Sequence, residues 1–171
     1  MRRRIHRGEW NVFRTALILG TLLMAGATNA SAAGSSARAA LDRVLEAAKQ
    51  WNADAVLTTV SSSTVDGEGK SPTWLYGFHS PKTGKYLLVT AKGRTIDTLE
   101  LSTGQTGAVP PDFLDSDQAV AEAIRYGLKS DTIRMRLSRT EWLVNGGDQK
   151  GALTVWLHPR TGKLIKRQTV Q

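Results

Sequence analysis

Ser80-Pro81-Lys82-Thr83-Gly84-Lys85 and His158-Pro159-Arg160-Thr161-Gly162-Lys163 lie 78 residues apart and share the pattern Pro-basic-Thr-Gly-Lys. Proline fixes one backbone torsion and glycine accepts a positive one, so each stretch reads as a tight turn between strands. At the same offset Leu75 aligns with Leu153 and Phe78 with Trp156. Asp54-Ala55-Val56 aligns with Asp131-Thr132-Ile133 at an offset of 77. The order of elements around the two turns is the same, which predicts two copies of one unit.

Working outward, each copy opens with a helical pattern. Ala37, Ala40, Leu41, Val44, Leu45 and Ala48 share one face of a helix predicted over 37–51, with Asp42, Arg43, Glu46 and Lys49 towards water. Val120, Ala123, Ile124 and Leu128 stripe a second helix over 116–128. Asp115 followed by Gln118 is a capping-box pattern, in which side chains satisfy the first free amides. Strands follow. Ile133, Met135 and Leu137 alternate with Arg134, Arg136 and Ser138, the period of a half-buried strand. Leu153, Val155 and Leu157 alternate with Thr154, Trp156 and His158. Asn145-Gly146-Gly147-Asp148 reads as a hairpin turn, as does Asp66-Gly67-Glu68-Gly69 in the first copy. A further strand is predicted over 95–101, and Pro110-Pro111 marks the boundary. The expected fold is α+β: two tandem units over 33–109 and 110–171, each an N-terminal helix packed on an antiparallel β-meander.

The first 32 residues read as an address. Arg2, Arg3, Arg4, Arg7 and Arg14 precede the apolar run 16–27, and Ala30-Ser31-Ala32 offers a cleavage site. Basic, apolar, cleavable is the order of a secretory signal peptide over 1–32, cut after Ala32. The run is shorter than the roughly 20 residues a membrane helix needs, so no transmembrane anchor is expected after cleavage. The expected location is the periplasm or the medium. The chain has no cysteine, which excludes disulfides, thiolate metal sites and Cys-based catalysis. Of the formal net charge of +8, five Arg against one Glu in 1–32 account for +4, leaving 8 − 4 = +4. Nucleic acid is not expected as a partner of an exported chain without a reading motif.

The residues Trp74 to Leu87 and Ala152 to Ile165, an aromatic-x-aliphatic strand followed by Pro-basic-Thr-Gly-Lys-aliphatic, resemble the PepSY domain, a small module of exported bacterial proteins. The resemblance spans about 36–101 and 115–171. It implies a helix on a small antiparallel sheet, often in tandem, with an architecture similar to the β-lactamase inhibitor protein repeat. It also implies inhibition or regulation of exported peptidases, or an accessory role at the envelope. It carries no catalytic residues. Lys82 and Arg160 stand where the family usually has an acidic residue.

No reaction is legible. Gly69-Lys70-Ser71 imitates the end of a phosphate loop, but Thr64 stands where that motif needs glycine and Pro72 follows. Asp66 with Glu68, and Asp115 with Asp117, sit in a turn and at a helix start, without the apolar flanks that raise a carboxyl pKa for acid–base work. The expectation is a non-enzymatic binding protein with no cofactor. It would act through its sheet face on an exported or envelope protein or peptide, acidic partners included. The expected contact residues are Trp74, Tyr76 and Phe78, which share one strand face, with Arg134, Arg136 and Trp156. From Ser116 onward there are ten Lys or Arg and five Asp or Glu, 10 − 5 = +5, which favours acidic partners. The alternative is a periplasmic metal- or small-ligand-binding protein using His79 and His158. Nothing in the sequence fixes the oligomeric state.

Overall fold

The computed structural model of the protein describes residues 34–148 and 151–170; the expected signal peptide lies outside them. The elements are α1 (Leu41–Trp51), β1 (Val56–Val65), β2 (Thr73–Ser80), β3 (Lys85–Lys92), β4 (Thr95–Leu101), α2 (Ser116–Arg125), β5 (Ile133–Leu137), β6 (Trp142–Asp148), β7 (Gly151–Leu157) and β8 (Leu164–Val170). All eight strands form one antiparallel sheet in the order β4-β3-β2-β1-β5-β6-β7-β8.

This continuous sheet corrects the expected fold of two tandem helix-plus-meander units. β1 pairs with β5, with Val60 opposite Leu137, Ser61 opposite Arg136 and Ser62 opposite Met135. An inner strand otherwise left as an edge would expose a row of unpaired backbone donors and acceptors, so the two strands satisfy one another. The core is also shared. Val60, Leu137, Met135 and Val144 lie on one face with Val44, Val120 and Ala123 of the helices, all buried. The linker is anchored on both sides of this core: Val109 N–H donates to Leu57 O at 2.8 Å and Leu114 N–H to Pro159 O at 2.7 Å.

The helix starts meet. Asp115 caps α2 and forms the capping box with Gln118 that the sequence predicts. Its Oδ1 also accepts from Arg38 N–H at 3.0 Å, and its Oδ2 accepts from the Ser36 hydroxyl at 2.7 Å. Ser116 donates its hydroxyl to Gly69 O and accepts from Ala37 N–H. Gly69 has a φ of 77° there, and an added Cβ would lie 2.4 Å from Asp117 Cα. Only glycine allows this approach of the β1–β2 turn to α2.

A second correction concerns Asn145-Gly146-Gly147-Asp148. These residues belong to β6, with Gly146 opposite Leu153 and Gly147 opposite Ala152. The glycines are packing residues. A Cβ on Gly146 would stand 2.7 Å from Ser130 Cβ and 3.3 Å from Leu128 Cδ1, so the chain leaving α2 occupies the space a side chain would take.

Candidate functional site

Successive strand side chains point to opposite faces, so the register assigns every residue a side. Trp74, Tyr76 and Phe78 face the helices. Each is buried, and they stand opposite Ala91, Val89 and Leu87 of β3. Trp74 Nε1–H donates to Ser35 O at 2.7 Å and the Tyr76 hydroxyl to Ala37 O at 2.8 Å. Burial pushes the Tyr76 phenol pKa up. Trp74 and Tyr76 tie the segment before α1 to the core, and Phe78 is buried beside them; the expectation of an exposed contact row is corrected, since these three side chains are core. The reason is geometric: the aromatic row fills the space beneath the helices, and the row of Thr73, Leu75, Gly77 and His79 takes the other face.

The other face is open among the described residues. One register row runs across all eight strands: Asp97, Thr90, Leu75, Ser61, Arg136, Leu143, Trp156, Lys166. Neither helix lies on this side. The linker crosses only its end, where Gly104 approaches Tyr86 so closely that a Cβ would lie 2.6 Å from its ring. Arg134 and Arg136 are exposed and share this face as the alternation predicts. Trp156 is half-buried between Leu143 and Lys166, whose ammonium lies 5.1 Å from its ring centroid. On β3 and β4, Leu88 stands opposite Leu99, which is 59% exposed. Sequence reasoning missed Leu88, Leu99 and Leu143. Their signal was an apolar residue at the polar phase of a strand.

Charge is unevenly spread over this face. Lys92, Arg134, Arg136 and Lys166 lie on it by register. Among the described strand residues, Asp97 is its one carboxylate. Glu100 pairs with Leu87 on the helix side. There it accepts from Trp51 Nε1–H at 2.9 Å and from Lys85 Nζ at 2.9 Å, bonds that hold its carboxyl below the ordinary value. Arg167 is likewise on the helix side, opposite Val155, and donates to Tyr126 O.

The two histidines are not brought together. His79 lies on β2, stacked on Tyr86 with ring centroids 4.9 Å apart. His158 follows β7, four strands away, which is about 19 Å at the usual strand spacing. Its Nδ1 accepts from the backbone N–H of Arg160 and Thr161. Among the described residues no group of three or more His, Asp or Glu could hold a metal ion.

The paired carboxylates are engaged in local structure. Asp66 Oδ1 accepts from the N–H of Glu68 and Lys70, both at 2.9 Å, and Glu68 pairs with Lys70 at 2.7 Å. Asp117 accepts from Gln118 N–H. Asp54 accepts from Lys82 N–H at 2.8 Å and the Ser80 hydroxyl at 2.9 Å. The Lys82 amide above all holds its carboxyl below the ordinary value.

No protein family and no curated protein matches the sequence. The resemblance to PepSY modules therefore gains no support beyond the residues that carry it. Among solved structures, the chain is similar to a protein from Clostridium difficile 630 provisionally described as a lipoprotein. The similarity has a TM-score of 0.54 and 11% identity over 76% of this chain and 92% of that one. At that identity the likeness is one of fold. Among the described residues, no helix is long and apolar enough to cross a membrane.

Proposed function

We propose that the protein is an exported, non-enzymatic binding module that holds an acidic protein or peptide on its open sheet face. The observation that carries this reading is the row from Asp97 to Lys166, where Arg136, Leu143 and Trp156 stand side by side on a face that neither helix covers. Interfaces draw much of their energy from Trp and Arg, which combine large contact area with directed hydrogen bonds. Four cations against one carboxylate favour an acidic surface and speed its approach.

A holding role also agrees with the paired carboxylates, Asp66 with Glu68 and Asp115 with Asp117, which close a turn and stand at a helix start. Export is supported by the basic, apolar and small-residue order of 1–32 and by the lipoprotein description of the C. difficile protein. Regulation of an exported peptidase and an accessory role at the envelope are both forms of this reading.

The test uses the chain beginning at Ala33 as bait in envelope extract, beside an Arg134→Glu/Arg136→Glu variant. The expected result is recovery of an acidic protein by the wild type, at least about tenfold less by the variant, and weakening with salt as the charges are screened. Equal recovery of every partner by both baits rejects the open face as the contact.

A further inference from the structure

The end of the sheet beneath the linker holds a cleft of about 540 Å³, within the range of small-ligand sites. One wall is the linker, Val109-Pro110-Pro111; the other is formed by Arg139 and Thr140 of the β5–β6 turn and by His158 of the β7–β8 turn. The walls are fixed, because the linker is tied to β1 through Val109 and to Pro159 through Leu114. The stem of Arg139 lies along Gly107, where an added Cβ would come within 3.2 Å of Arg139 Cδ.

The charged side chains that line it, Arg139 and Arg160, are cationic and exposed. Arg160 at the rim is paired with Asp112 at 2.7 Å. Arg139 has no hydrogen-bond or ion-pair partner among the described residues, so its planar fork is available. His158 Nδ1 accepts two backbone N–H groups, so Nε2 is the ring nitrogen free of them. The Thr140 hydroxyl adds a further polar group. A guanidinium fork matches a carboxylate through two parallel bonds, and the prolines and Val109 offer an apolar surface beside it.

We infer that this cleft is a binding site for a small carboxylate with an apolar body, held by Arg139 and packed against the linker prolines. The site is separate from the open face and does not depend on the partner proposed for it.

The experiment titrates the chain beginning at Ala33 with benzoate, acetate and inorganic phosphate, following backbone and arginine side-chain NMR signals. Benzoate should give saturable shifts centred on Arg139, Thr140 and Val109, and bind more tightly than acetate. Arg139→Gln should weaken benzoate about tenfold or more, the loss of one charge-assisted forked contact. Lys49→Gln, the same charge change on α1, should leave it unaltered. Arg139→Lys keeps the charge but not the fork. It should give a smaller loss, and it carries the test if Arg139→Gln does not fold. The proposal is overturned by the absence of saturable shifts, by equal affinity in the Arg139 variants, or by phosphate binding as tightly as benzoate.

Discussion

The carboxylate of Asp115 accepts the backbone N–H of Arg38 at 3.0 Å, so the residue that caps α2 also holds the turn leading into α1. Ala40 at the N-cap of α1 makes no side-chain cap of its own. Removing this one side chain therefore frees amides before both helices. A single cap contributes roughly 1 kcal/mol, and Asp115→Ala is expected to cost about 2 kcal/mol because the Arg38 and Ser36 contacts go with it. Asp115→Asn should recover part of the loss. Urea denaturation of the three proteins measures this.

Gly69 is expected to tolerate no side chain. Both its positive φ and the contact with Asp117 oppose a Cβ, and Gly69→Ala should destabilise by roughly 2–4 kcal/mol. Gly67, in the same turn, has no atom within 4 Å of an added Cβ. Gly67→Ala should change the urea midpoint little.

The two tryptophan environments predict opposite results. Trp74 is 1% exposed and bonded to Ser35, so Trp74→Ala should cost roughly 3–5 kcal/mol. Trp156→Ala removes a half-buried side chain from the open face and should cost about 1 kcal/mol, while weakening partner binding. Thermal melts and the bait experiment separate the two effects.

Thr95–Leu101, the Asp115 cap and the shared face of Arg134 and Arg136 were readable because each depends on neighbours within a few positions. The pairing of Ser61 with Arg136 joins distant segments and leaves no local mark, so the single sheet was missed. Gly146 and Gly147 carry the composition of a turn. Their reason is Ser130 and Leu128 packed over the strand, a contact between elements. Alternation separated Trp74, Tyr76 and Phe78 from Leu75 and His79 correctly. It could not say which row faces the helices, since alternation fixes the phase of a strand and not the side on which the helices pack.

Acid should weaken the fold through Asp54 and Glu100. Both carboxyls are held below their ordinary values, Asp54 first by the Lys82 amide and Glu100 first by the Trp51 indole. A carboxyl with a depressed folded pKa stabilises above its unfolded value, and that contribution is lost as pH falls through the folded one. Urea midpoints should therefore fall as the pH is lowered from about 5 through the depressed folded values of both groups. The drop should be smaller in Asp54→Asn/Glu100→Gln.

The open face itself is tested most directly by mapping the complex. Amide shifts, or protection from hydroxyl radicals, would be recorded for the chain with and without the acidic protein recovered by the bait. Changes are expected along Leu75, Ser61, Arg136, Leu143 and Trp156, with α1 and α2 unaltered. Changes confined to the helices, with that row untouched, would contradict binding on the open face.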